Sequence, residues 1–152
     1  MVDKKAIELL KELCEAFGPT GFEREVSRIV KEHVKSYADE ITTDKLGSVV
    51  FKHRGDAGRP RVLLAGHIDE VGFVISGIDE KTGFLTFNPL GGWWDQVLLT
   101  QRVTIRTKKG DVPGVIAAKP PHLLSPEELK KVVEKRSMYI DVGASTRRKP
   151  RK

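Results

Sequence analysis

The apolar residues of this chain change their period once. Up to Tyr37 they recur at helical spacing; from Ile41 onward they come in short runs broken by glycine and proline. The spacing of Ile7, Leu10, Leu13, Cys14 and Phe17 predicts an amphipathic helix from Asp3 to about Phe17, stopped by Gly18-Pro19-Thr20-Gly21. Val26, Ile29, Val30 and Val34 predict a second helix from about Glu23 to Tyr37. Cys14 falls on the apolar face of the first helix and reads as a small buried hydrophobe.

The segment ITTDKLGSVVFKH reads as two short strands around a turn at Asp44–Gly47, and GDAGRP as a further turn. The uninterrupted apolar run Val62 to Ala65 has the character of a strand buried on both faces. Two helices followed by such a strand point to an α/β layer. Beyond Asp69 the pattern is of short strands at Phe73–Ile78, Phe84–Phe87, Val97–Leu99, Arg102–Thr107, Val112–Ala117 and Met138–Val142, as in a small barrel or sandwich. The segments at Glu80-Lys81 and at Lys108 to Asp111 read as solvated hairpin turns. One helix is expected among these strands. Ser125-Pro126-Glu127-Glu128 is a capping box, and LKKVVEKR carries the helix to about Arg136.

The formal charge of +6 comes mostly from the last six residues, which hold Arg147, Arg148, Lys149, Arg151 and Lys152. Without them 22 basic residues face 21 acidic ones, so the body carries no basic face for a phosphate backbone. The tail itself, RRKPRK, is of low complexity and reads as disordered. A single cysteine excludes an internal disulfide framework and a four-thiolate zinc site. No apolar stretch approaches the roughly 18 residues needed to span a bilayer, and the charged N-terminus does not read as a secretory signal. Cytoplasmic residence is the simplest expectation. High charge with few amides (Asn88, Gln96 and Gln101) fits a thermophilic source.

His67-Ile68-Asp69 is the sharpest chemical feature. Residues i and i+2 of a strand point to the same side, and open α/β sheets place their sites at the carboxyl ends of strands. A neutral imidazole suits zinc or cobalt, and a nearby carboxylate can orient it. The pair could equally be a structural histidine with an aspartate partner. His33 and His53 read as solvated surface residues. His122 sits in a loop, with a structural role or a contribution near the active site both open. Trp93 and Trp94 alternate sides, one for the core and one for an edge or an interface.

In its wider setting, LLAGHIDEVGFVIS resembles the segment around the first metal ligand of the M42 metalloaminopeptidases, also called glutamyl or deblocking aminopeptidases and, in older naming, endoglucanases. FGPTGFEREV is similar to that family's N-terminal helix break, Asp44-Lys45-Leu46-Gly47 to the turn before its catalytic sheet, and Gly91-Gly92-Trp93 with Gln96-Val97-Leu98 and Gln101-Arg102-Val103 to its barrel insert. KPPHLLSPEE and YIDVGAST resemble the insert's later part. The collinear matches run from about residue 3 to residue 146.

The resemblance implies an α/β fold. Residues 1–69 are the incomplete N-terminal portion of a phosphorylase/hydrolase-like catalytic domain. Residues 70–146 are a small β-barrel of the dimerisation type, and 147–152 the basic tail. It implies His67 as a metal ligand and Asp69 as a catalytic-site residue that supports it from behind or orients the site. It also implies two divalent ions, zinc or cobalt, with a bridging water that attacks the peptide bond after a substrate's N-terminal residue while a glutamate takes the proton. The family's other ligands follow the insert. The chain is therefore expected to be truncated, to bind at most one ion weakly, and to have negligible peptidase activity alone. The expected partners are a peptide substrate and either a second copy through the barrel or a complementary C-terminal chain; no nucleic acid or membrane is expected. A non-catalytic dimerisation or assembly module is the competing function, and single-strand nucleic-acid binding by the barrel a weaker one. An incomplete layer beside Val62–Ala65 should leave a large exposed apolar face.

Overall fold

The computed structural model describes residues 3–56 and 58–144; the basic tail lies outside them. The chain divides into two units between Glu70 and Val71.

The first unit opens with helix α1, Lys4–Glu15, capped by the Asp3 carboxylate, which accepts the Lys5 N–H at 3.1 Å. It ends one residue before the extended Ala16, ahead of Gly18-Pro19. Helix α2, Arg24–Val34, continues into a 3₁₀ turn at Lys35–Tyr37, so the second helical stretch spans nearly the residues its periodicity implies. Val26 and Ile29 of α2 and Ala16 form a small buried cluster, flanked by Leu9, Leu13, Val30 and Ile68. α1 itself buries none of its residues: Ile7 and Leu10 are exposed. Cys14 is exposed too, correcting the expectation of a buried thiol. It lines an open cleft, so the apolar face of α1 is only partly covered there.

Strands β1, Glu40–Thr43, and β2, Val49–Lys52, form the expected antiparallel hairpin, with Thr43 opposite Val49. Asp44 closes the turn by accepting the N–H groups of Leu46 and Ser48 at 2.8 and 2.9 Å. The Ser48 bonds hold its carboxyl below the ordinary aspartate range. The run Val62 to Ala65 is not a strand, and its side chains are not buried: Val62, Leu63 and Leu64 are 79, 84 and 91% exposed. A strand buried on both faces needs a ladder on each edge and cover on each side. Among the described residues the sheet pairing of this unit is limited to β1 with β2 and one parallel bridge, Pro19 with Glu70. The apolar run therefore has neither.

The second unit is a five-stranded antiparallel sheet in the order β3-β4-β7-β6-β5, formed by Gly72–Ile78, Leu85–Leu90, Tyr139–Asp141, Gly110–Ala117 and Arg102–Thr107. Both edge strands, through Phe73 and Ile75 on one side and Val103 and Ile105 on the other, pack on one core of Leu85, Phe87, Leu98, Ile116, Met138 and Ile140. The sheet is therefore curled around that core. β7 is three residues long, yet it sits in the middle of the sheet because Ile140, 1% exposed, fills the centre and pairs with both Leu85 and Ile116. The two hairpin turns fall where charge and glycine place them. Asp79 gathers the N–H groups of Lys81 and Thr82, and Arg106 pairs with Asp111 beside the second turn.

Two expected elements take another form. Val97–Leu99 is not a strand: Asp95–Val97 is a 3₁₀ turn that drops Leu98, 1% exposed, into the core. The helix from Ser125 to Arg136 stops after one turn. The capping box forms, with Ser125 Oγ accepting the Glu128 N–H at 3.2 Å and Glu128 accepting the Ser125 N–H at 2.7 Å. The 3₁₀ turn Glu128–Lys130 then gives way to an extended Lys131, and a second 3₁₀ turn covers Lys135–Ser137. The tertiary partner overrides the cap. Asp95 accepts the Lys135 backbone N–H at 2.9 Å and pairs with the same residue's ammonium, which takes that N–H away from any helical carbonyl. The Lys135 hydrogen bonds hold the Asp95 carboxyl below its ordinary range.

Trp93 stacks on Phe73 at 5.1 Å and donates its indole N–H to Gly72 O, whereas Trp94 is 78% exposed. Among the described residues, no helix is long and apolar enough to cross a membrane.

The curl depends on close approach at Gly114, in β6. A Cβ there would lie 2.6 Å from Ile140 Cγ2 and 2.9 Å from Ile105 Cδ1. Gly114→Ala is expected to destabilise the second unit by about 1–3 kcal/mol, read as a lower urea midpoint by Trp93 fluorescence.

Candidate functional site

The site grows from one backbone pairing. Glu70 donates its N–H to Gly18 O at 2.9 Å, and its own carbonyl accepts the Thr20 N–H at 3.2 Å. This is the parallel bridge of Pro19 and Glu70. The Glu70 side chain adds a third bond, accepting the Gly18 N–H through Oε1 at 3.2 Å. The turn after α1 is thereby fixed against the segment that carries His67, Ile68 and Asp69. Ile68 points into the Ala16–Val26–Ile29 cluster, which anchors the segment from the apolar side.

His67 and Asp69 do converge. His67 Nδ1 lies 3.1 Å from Asp69 Oδ1 and 3.0 Å from the Asp69 backbone carbonyl. Both neighbours are acceptors, so Nδ1 carries the proton and donates. Nε2 is then the nitrogen with the free lone pair on a ring whose side chain is 86% exposed. The other carboxylate oxygen, Asp69 Oδ2, accepts the Thr20 hydroxyl at 2.7 Å. That bond, together with His67, holds the Asp69 carboxyl below the ordinary aspartate range against the opposing cost of desolvation. His67, Asp69 and Glu70 form one wall of an open cleft of about 470 Å³, whose floor is the apolar side of α1 and α2 at Leu13, Val26 and Val30.

The site stops short of a complete metal centre. Among the described residues, no group of three or more histidines, cysteines, aspartates or glutamates is placed to hold a metal ion. His67 fits the part of a single ligand with its supporting carboxylate, and a catalytic zinc takes three protein ligands. The other histidines lie elsewhere. His33 Nε2 lies 2.9 Å from Glu12 Oε2 between α1 and α2, and His53 pairs with Asp39 at the surface. His122 lies in the 3₁₀ turn Pro121–Leu123 and is exposed. Thr20 and Glu70 are what sequence reasoning missed. FGPTGFE reads as a helix stop, and nothing in its spacing reveals that its hydroxyl meets a carboxylate 49 positions later.

The profile of the M42 glutamyl aminopeptidases matches residues 47–152. The putative aminopeptidase FrvX of Escherichia coli is 46% identical over 142 residues, covering 93% of this chain and 39% of FrvX. The crystal structure of a TET aminopeptidase from a marine sediment Thaumarchaeota archaeon superposes with a TM-score of 0.89 at 62% identity, over 94% of this chain and 40% of that one. A TET peptidase of Pyrococcus horikoshii, which can assemble into a tetrahedron or a large octahedral shell, superposes with a TM-score of 0.77 at 34% identity, over 91% of this chain and 41% of that one. The chain belongs to the M42 glutamyl aminopeptidase family and spans about two fifths of the length of these relatives.

Gly18 sets how tightly the turn meets α2. A Cβ there would stand 2.5 Å from Val26 Cγ2. Gly18→Ala is expected to cost the first unit about 1–3 kcal/mol and to speed hydrogen exchange at the Glu70 amide, measured by NMR.

Proposed function

We propose that this chain carries the first part of an aminopeptidase site that removes N-terminal residues from peptides with the help of two divalent ions, zinc or cobalt. His67 is one metal ligand through Nε2, and Asp69 is the residue that orients it. The observation that carries the reading is the His67–Asp69 pair itself. Its Nδ1 faces two oxygens, which leaves Nε2 as the free nitrogen of an exposed ring that lines a cleft. Membership of the M42 family supports it. What the ions supply when bound is a polarised carbonyl and an acidified water. The described residues contribute a ligand and its orientation and no further donor set, so the chain alone is proposed to bind at most one ion weakly and to have negligible peptidase activity.

In this reading residues 1–69 begin a catalytic α/β domain, 70–146 form a β-barrel insert of the dimerisation type, 147–152 are a basic tail, and the protein works in the cytoplasm. The curl of the five-stranded sheet around one core supports the barrel. A second copy, or a complementary chain carrying the remaining ligands, is the proposed partner. The assembly described for the Pyrococcus horikoshii relative supports the first. The exposed run Val62, Leu63 and Leu64 supports the second, because three aliphatic side chains this open to water need cover. A non-catalytic assembly module is the second reading, favoured by the exposed Trp94, Leu123, Leu129 and Val132 of the second unit.

Two measurements separate the readings. Zinc or cobalt added to the chain should shift the His67 ring resonances with weak affinity, and His67→Ala should remove that response. Aminoacyl substrates should remain uncleaved by the chain alone. Tight binding of two ions with turnover would overturn the proposed incompleteness. A chain that forms a stable dimer with no metal response at His67 would favour the assembly module.

A further inference from the structure

We propose that Thr20 is a positioning residue of this site: its hydroxyl fixes the Asp69 carboxylate so that His67 is held as the Nδ1–H tautomer, with Nε2 free to take a cation. The tautomer claim stands on geometry alone; its use in metal binding rests on the reading of His67 as a ligand.

The two oxygens of Asp69 are divided between two donors. Oδ2 takes the Thr20 hydroxyl at 2.7 Å and Oδ1 faces His67 Nδ1 at 3.1 Å. A carboxylate tied only to the exposed ring could rotate about its Cβ–Cγ bond and leave Nδ1 with the Asp69 backbone carbonyl alone, 3.0 Å away. With Oδ2 anchored, Oδ1 stays directed at Nδ1. The anchor is itself rigid, because the Thr20 N–H is bonded to Glu70 O and the neighbouring Gly18 is bonded to Glu70 through both its N–H and its carbonyl. Thr20 therefore approaches from a different part of the chain, along a backbone pairing that does not involve its side chain. Free imidazole in water prefers the proton on Nε2, so the opposite tautomer has to be imposed. Partners that fix a ligand's tautomer and ring orientation are typically worth about 10–100-fold in metal affinity.

The test uses the whole 152-residue chain, labelled with ¹⁵N, at a pH above the titration range of imidazole. Long-range ¹H–¹⁵N correlation should show His67 Nδ1 protonated and Nε2 unprotonated. Thr20→Val, which keeps the shape and loses the hydroxyl, should move both nitrogens part of the way toward the pattern of free imidazole, since the Asp69 backbone carbonyl still faces Nδ1, and Thr20→Ser should restore the native pattern. An unchanged pattern in Thr20→Val, or a proton on Nε2 in the native chain, overturns the proposal. Should Thr20→Val fail to fold, the native chain decides: a single Thr20 χ1 rotamer in three-bond couplings supports the role, and rotamer averaging overturns it. Zinc titration of the same samples should give about 10-fold weaker binding at His67 in Thr20→Val, rescued by Thr20→Ser. Equal affinity in native and Val chains overturns the proposal. If His67 takes no zinc in any sample, the ligand reading of the previous subsection fails, and the tautomer pattern still decides the role of Thr20.

Discussion

The pairing of Gly18 and Thr20 with Glu70 is the interaction on which the first unit depends. It joins the exit of α1 to a segment some fifty residues later, and among the described residues no other sheet contact in this unit reaches that segment. Each backbone bond is modest on its own, about 1 kcal/mol net, but they act where the chain has little else. The helices share a buried cluster of three residues, and Ile68 is the apolar contact from the far side. Had the bridge been absent, His67, Ile68 and Asp69 would continue the exposed character of Val62 to Leu64. Because it is present, a tripeptide of common composition becomes a defined constellation.

The second unit solves a different problem. Its strands are short, and its middle strand is the shortest of them. Stability comes from side chains that meet over the curled face rather than from ladder length. Ile140 and Ile116 are nearly inaccessible, and the Phe73–Trp93 stack, with the Phe73–Phe87 edge contact at 4.8 Å, extends the core under β3. Long loops are recruited to the same end. Asp95 and Lys135 tie the segment before β5 to the segment before β7 across 40 positions, and Leu98 and Met138 enter the core beside that tie.

Legibility followed the range of the interactions. Elements set by local periodicity or turn chemistry were readable: both helices, the β1–β2 hairpin closed by Asp44, and the strands β3 to β7, with β4 running three residues further than its apolar run. Where a distant partner decides, the sequence misled. Ser125 and Glu128 make the capping box their types imply, yet the helix fails because Lys135 answers to Asp95. Val97–Leu99 looks like a strand, yet Leu98 is wanted in the core. Val62–Ala65 looks buried, yet burial is a property of neighbours. At the site, the i and i+2 spacing of His67 and Asp69 was visible. The hydroxyl of Thr20 was not, since no local pattern encodes a contact made 49 positions away.

The open aliphatic run also bears on how such a chain survives its own synthesis. Val62, Leu63 and Leu64 form an exposed, uncharged aliphatic run, a surface on which identical chains can stack. Arg59, Pro60 and Arg61 precede it, and charge with proline at the flank is how natural sequences slow such stacking. While these side chains stand open to water they are a liability toward association between copies, and that short cationic flank is the nearest brake.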